Sequence, residues 1–311
     1  MDTFKTIKAS LLVLLICFTL ALNGEEWREG VETDFSLTSI APHLPKNVRY
    51  LVHVNVQQAL EERNAQELKR LWIIPMLEAY GSIVSPGFRW RPEEIGSISY
   101  FGDGVYTNYS DQVYLLKPVS AQWTKRVEKS LEENKEAPAR YGYAVAFKNK
   151  NVYVSQSKEK LQAALHNSQD LPPLFEGIIG SKMSYIDLVF DQQIEQMFLL
   201  PPGVSQGKKK LERFRLDLWE EKEKCFIEAA FDFHTASDAT SFSKQIQLPL
   251  KMYQLVETGG LIKVLKSATT SINGQTMTMK ADVPSIKGET PEAYFFLLES
   301  LFGVKADAPK D

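Results

Sequence analysis

From Val48 to Val56 apolar and polar residues alternate, with Val48, Tyr50, Val52, Val54 and Val56 on one side and Arg49, Leu51, His53 and Asn55 on the other. That period of two predicts a β-strand. The period then lengthens to three and four. Leu68, Leu71, Trp72, Met76 and Tyr80 form the stripe of a helix over 59–80, which Pro75 should kink or divide. Ile95 to Tyr100 and Gln112 to Lys117 read as strands around the Gly-, Asp- and Tyr-rich loop 101–110. Ser120 stands where it can cap a helix reaching about Asn134, with Trp123, Val127 and Leu131 on its buried side. A hairpin of Tyr143 to Phe147 and Val152 to Ser155 follows, then a helix from Lys158 to His166 capped by Ser157.

Residues 167–173, polar and then Pro-rich, mark the best boundary, and after them the order begins again. Met183 to Phe190 reads as strand and Gln192 to Leu200 as a helix stopped by Pro201. Arg213 to Trp219 and Cys225 to Phe233 read as a strand pair, and a helix starts at Ser237. Thr269 to Ile272 and Gln275 to Val283 flank Asn273-Gly274, a hairpin turn signal, and Thr290-Pro291 opens a last helix. Each half therefore runs strand, helix, two strands, helix, two strands, helix. Lone hairpins are not stable, so each half should be a mainly antiparallel sheet with helices packed on one face. The expected class is α+β, two tandem similar units of ferredoxin-like character. Whether their sheets join is left open by the pattern. Tyr50 to Leu60 also aligns without a gap on Tyr185 to Glu195, sharing Tyr50/Tyr185, Val54/Val189, Gln57/Gln192 and Gln58/Gln193, as a duplication would require. The expected organisation is a signal peptide at 1–21, a leader at 22–46, units at 47–168 and 169–304, and a disordered tail at 305–311.

The N-terminus changes this picture most. Lys5 and Lys8 precede the apolar run 11–21, and Thr19-Leu20-Ala21 offers small residues where a signal peptidase reads. The run is shorter than the roughly 20 residues of a spanning helix, so no membrane-spanning segment is expected after cleavage. Export to the periplasm or outside the cell is the expectation. Cleavage removes Asp2, Lys5 and Lys8 and shifts the net charge from −3 to −4. It also leaves Cys225 as the single cysteine, so the fold is expected to rest on core burial without a disulfide. With a pI near 5.9, the chain lacks the concentrated basic charge that nucleic acid calls for.

No residue pattern specifies a reaction, a metal or a cofactor. Neither a Gly-x-Ser-x-Gly elbow nor a phosphate-binding Gly loop is present, and the four histidines show no zinc spacing. Asp232 and His234, two apart on a strand, are the most ligand-like pair. They lie beside Arg213, Arg215 and Asp217, which read as a solvated sheet face. His53 and Asn55 share the less apolar side of the first strand, where a satisfied, half-buried histidine is expected. Cys225 reads as a buried, inert thiol. Asp232, His234, His53 and Asn55 are thus the candidates for a polar site.

Residues 44–60, in which Leu44-Pro45 leads to an apolar strand ending in Asn55 and then to a helix, resemble the start of exported bacterial proteins of planctomycete and verrucomicrobial type. In those proteins an Asp or Asn stands at the end of the strand. The resemblance implies an envelope or secreted protein and no particular chemistry. The functional expectation is a non-enzymatic binding or structural protein with a protein or small-molecule partner. The alternatives are an extracytoplasmic hydrolase with a site between the units, or a carrier of an apolar ligand.

Overall fold

The computed structural model describes residues 34–63, 65–85, 89–104, 111–166, 171–177, 184–191, 211–221, 224–254 and 267–284. Among these residues ten antiparallel strands form one sheet: β1 (Tyr50–Asn55), β2 (Ile95–Gly102), β3 (Val113–Pro118), β4 (Ala144–Lys148), β5 (Asn151–Ser155), β6 (Ile186–Phe190), β7 (Leu211–Glu221), β8 (Lys224–Phe233), β9 (Thr269–Asn273) and β10 (Thr276–Pro284). Their order across the sheet is β4-β5-β3-β2-β1-β6-β7-β8-β10-β9. β1 and β6 form the seam, with Tyr50 opposite Phe190 and Val54 opposite Ile186. Outward from that seam each half runs first, second, third, fifth and fourth strand. The likeness to a ferredoxin-like unit extends to the layers but not to the strand order, because β1 and β2 are direct neighbours here.

The ungapped match of 50–60 on 185–195 does not describe the structure. Val54 packs in the core beneath the long helices, whereas Val189 packs in the smaller cluster on the other side of the sheet. A one-residue shift turns every side chain of a strand to the opposite face. Moving the match by one residue restores the facing. Tyr50, Val52 and Val54 then correspond to Ile186, Leu188 and Phe190, and Asn55 to Asp191.

Helices α2 (Val56–Glu61), α3 (Ala65–Leu68), α4 (Ile74–Val84), α5 (Ala121–Glu133) and α8 (Ala236–Gln254) flank the strands, and the face they cover holds most of the core. Asn55 starts α2 by accepting the Gln58 N–H on its side-chain oxygen at 3.1 Å. The helix expected over 59–80 breaks after Glu61, and from Ala65 to Val84 the chain is helical without a gap. A π-helical turn, Lys69–Ile73, passes directly into α4, and Pro75 follows it in the first turn of α4. Tyr80 against Tyr114, with ring centres 4.7 Å apart, and Trp90 against Trp123 at 5.1 Å pin α4 and α5 to the first half. Phe231 and Phe233 do the same for α8 through Phe242.

The opposite face of the first half is covered too. α1 (Leu37–Ile40), the 3-10 turn Ala41–His43 and α7 (Lys158–Leu165) bury Leu51, Phe101, Val113, Leu115 and Tyr153. The N-terminal part of this cover, residues 34–48, is called the strap below. The short α6 (Ala137–Arg140) leads into β4. No helix among the described residues is long and apolar enough to cross a membrane. The expected helices at 192–200 and after Thr290, the signal segment, the tail and most of the loop 101–110 lie outside the described residues.

Candidate functional site

On the face opposite α2–α5, cross-strand pairing sets polar residues in one transverse row. Ser99 faces His53, His53 faces Asp187, Asp187 faces Asp217, Asp217 faces Glu228, and Glu228 faces Lys280. Direct partners in an antiparallel ladder share a face, so strand register alone assembles the row from both halves.

His53 is wholly buried. One ring nitrogen lies 2.9 Å from Ser99 Oγ and the other 2.9 Å from the Phe35 carbonyl. Only an N–H can donate to a carbonyl, which assigns the proton to Nε2 and leaves Nδ1 to accept from Ser99. Burial, reinforced by the Lys117 ammonium and opposed by the Phe35 carbonyl and Asp34, pushes the imidazole down to about 4. The ring is therefore neutral at physiological pH and ties the strap to the sheet. A depressed histidine value favours the unfolded chain in acid, because only the unfolded form takes up the proton between about pH 6.5 and 4. Stability from this group is complete above that window and is lost as pH falls through it, by about 3 kcal/mol. Replacing His53 by Gln should abolish that component in denaturant titrations run from pH 7 to 4.

Asp187 and Asp217 form a buried acid pair at the seam side of the second half, each 3% exposed. Ser184 Oγ donates to Asp187 Oδ1 at 2.5 Å. Burial first, and the Asp217 charge second, raise the Asp187 carboxyl well above the usual carboxylate range. Arg215 Nε lies 3.0 Å from Asp217 Oδ2, and Arg215 reaches Glu228 at 3.8 Å. Arg215 Nε makes no aligned hydrogen bond, so its contact with Asp217 is an ion pair only. Burial raises the Asp217 carboxyl too, and the Arg215 cation opposes that rise. Asp217 keeps the negative charge beside Arg215, and Asp187 holds the proton and donates it to Asp217.

Along the same face, toward the far ends of β6 and β7, the strip of charge opens into a groove of about 430 Å³ lined by Val48, Leu174, Asp191, Glu212, Arg213 and Asp232, with Pro173 and Glu176 at its rim. Arg213 spans its floor. Its Nε donates to Asp232 Oδ2 at 2.7 Å and its Nη1 to the carbonyls of Leu174 and Glu176 at 3.1 and 2.6 Å. Thr276 Oγ1 donates to the other Asp232 oxygen at 2.6 Å. Asp191 takes Arg49 Nε on Oδ2 at 2.5 Å, and its buried Oδ1 accepts no hydrogen bond.

The four sequence candidates do not converge. Asp232 belongs to the groove. His234 is half-exposed just past β8, paired with Glu212 rather than with Asp232. His53 is fully rather than half buried, and Asn55 caps α2. Asp217, read as solvated, is buried. No group of three or more His, Cys, Asp or Glu among the described residues is placed to hold a metal. Cys225 is buried, its Sγ lies 3.5 Å from the Tyr185 hydroxyl, and burial pushes its thiol up to about 12. Asp187 and Asp191 were not singled out in the sequence, because each stands in or beside an apolar run with no motif around it. The one available signal was Asp191 at the strand end corresponding to Asn55, visible only once the register is corrected.

No protein-family model and no curated protein matches the chain. Among solved structures it is similar to the treponemal protein TP0453. Crystal form I of TP0453 aligns at a TM-score of 0.44 and 11% identity, over 86% of this chain and 97% of that one. Crystal form IV aligns at 0.37 and 8% identity, over 83% and 95%. Likenesses of this size say nothing about what the chain does.

Proposed function

We infer that the protein is an exported, non-enzymatic binding protein, and that its binding surface is the groove formed by residues 173–176 and the ends of β6, β7 and β8. The supporting observation is the charge of the groove wall. Asp191, Glu212, Asp232 and Glu176 line it with Arg213, which is held by Asp232 and two carbonyls, while Arg49 pairs with Asp191 and His234 with Glu212. Such a wall favours a partner that presents a cationic group, an amine or the side chain of a Lys- or Arg-bearing peptide. Val48, Pro173 and Leu174 supply an apolar wall for the stem behind that group. Export is supported by Lys5, Lys8 and the apolar run 11–21. The matching strand order of the two halves supports a duplicated origin.

Titration calorimetry with a capped tri-lysine peptide tests this. Binding should weaken about tenfold in Asp191→Asn and fall in high salt, as exposed charge pairs do. Equal binding of an uncharged peptide, or no effect of Asp191→Asn, would overturn it. The hydrolase alternative draws on one observation, the buried pair of Asp187 and Asp217 beside Ser184. Turnover of an ester or peptide substrate that disappears in Asp187→Asn would favour it.

A further inference from the structure

A second cavity lies on the same face of the sheet at the other half of the molecule, and its wall has the opposite character. It measures about 520 Å³ and is bounded by the strap, the end of β3, the start of α5 and the β4–β5 turn. Its polar lining includes Ser39, His43, Lys117, Ser120, Asn149 and Lys150, and among the described residues no carboxylate lines it. In a chain of net charge −3 such a concentration of donors and cations has to be built.

Lys117 is held by the fold. Lys117 is only 6% exposed, its Nζ donates to the Asp34 carbonyl at 2.8 Å, and it sits 5.6 Å from the centre of the Phe35 ring. Burying an ammonium is costly, and the neighbouring positions of β3, Leu115 and Leu116, show what the sheet uses where packing alone matters. The Lys150 backbone is fixed as well. Thr124 Oγ1 of α5 donates to its carbonyl at 2.5 Å, and Asn149 and Lys150 both adopt left-handed backbone angles, φ 52° and 67°, which close the tight β4–β5 turn over the cavity. Ser120 adds a feature that the sequence does not predict. It occupies the N-cap position of α5 in extended conformation, yet its side chain makes no capping bond. Ser120 and Ala121 thus bring the N-terminus of the 13-residue α5 to the cavity wall, where the helix dipole reinforces the cations.

We propose that this cavity, roofed by the strap and walled by Lys117, Lys150 and His43, binds an anion carrying a phosphate group. The volume exceeds what an inorganic anion needs and lies within the range of small-molecule sites, so a phosphorylated small molecule fits as well as the free ion. An anion here would offset the cost of burying Lys117 and would bridge strap, sheet and α5.

The experiment is calorimetry on the full chain at constant ionic strength, with inorganic phosphate and glucose 6-phosphate as probes and chloride as the control. Both probes should bind with Kd below about 1 mM, tighter binding of the ester identifying a small-molecule ligand and equal binding a free anion. Lys150→Glu should weaken binding at least about tenfold, since it places a carboxylate at the rim. Asn149→Asp does the same at a position that tolerates left-handed backbone, which keeps the test open if Lys150→Glu folds poorly. Asp191→Asn, in the other groove, should leave phosphate binding unchanged, so this result and the tri-lysine result stand or fall separately. Heats no larger than those of chloride, or phosphate binding that survives both Lys150→Glu and Asn149→Asp, would overturn the proposal.

Discussion

Asp187→Asn should make this protein more stable at pH 7, although it replaces a buried residue that makes two hydrogen bonds. Asp187 is wholly enclosed and faces the charge of Asp217, so its folded form holds a proton that the unfolded chain gives up. Keeping a carboxyl protonated at pH 7 against an unfolded value near 4 costs up to about 4 kcal/mol. A folded value raised above the unfolded one contributes stability that is complete below about pH 4 and is lost as pH rises. Asparagine presents the same shape with no such cost. Its oxygen can accept from Ser184, and its amide can donate to Asp217 where the carboxyl proton did. A rise in Tm on the order of 5 °C at pH 7, shrinking to nothing near pH 4, is the expected result of thermal unfolding followed across that range. A fall in Tm at pH 7 would show that the proton is not on Asp187. His53 acts with the opposite sign over an overlapping window, losing stability as pH falls. The wild-type profile should therefore be flatter than that of either single variant, and Asp187→Asn should expose the His53 slope.

Gly96→Ala should be the most damaging methyl group that can be added to this sheet. A Cβ at Gly96 would stand 1.9 Å from one Phe35 ring carbon and 2.1 and 2.4 Å from two more, far inside contact distance. The backbone of Gly96 is ordinary extended strand, so the requirement for glycine is purely one of space. It coincides with a shift of register between Ile95 and Ser97 in the β2–β3 pairing. To admit the methyl, Phe35 must leave its seat. It then gives up its burial and its place beneath Lys117, and it carries with it the carbonyl that holds His53. The expected loss is about 3 kcal/mol, with faster proteolysis within 34–48. Phe35→Ala should lose a similar amount, and the double variant Gly96→Ala/Phe35→Ala should be no worse than Phe35→Ala alone. That coupling, read from denaturant titrations of the four proteins, is the signature of one seat and one occupant. Additive losses would mean that the two residues act separately.

Much of the fold was legible because local chemistry and periodicity agreed. The hairpin at Asn273-Gly274, the Ser157 cap, which accepts the Lys160 N–H, and the alternation of β8 all stand where the pattern puts them. An irregularity near Pro75 was also legible, though its π-helical form was not, and the helix breaks after Glu61 and not at the proline. The candidate site was much less so. Asp232 lines the groove, but it was singled out for a partnership with His234 that the strand end prevents. Asp187 and Asp217 are separated by 30 positions in the chain and meet only through the β6–β7 register. Ser120 follows the capping rule in position and departs from it in bonding, a departure that marks the wall of a cavity.

Taken alone, the amino-acid sequence determined where most of the described strands and helices lie, and that Cys225 would be buried. Those properties depend on residues within a few positions of one another. Tertiary structure decided the rest: that β1 and β6 join the halves into one sheet, that the strap and α7 cover the second face of the first half, and that Asp187 and Asp217 meet in burial. The physical reason is that a strand's register fixes which face each side chain occupies, and register is set by partners far away in the chain. An alignment displaced by one residue matched Val54 with Val189, and only the sheet shows that they look in opposite directions.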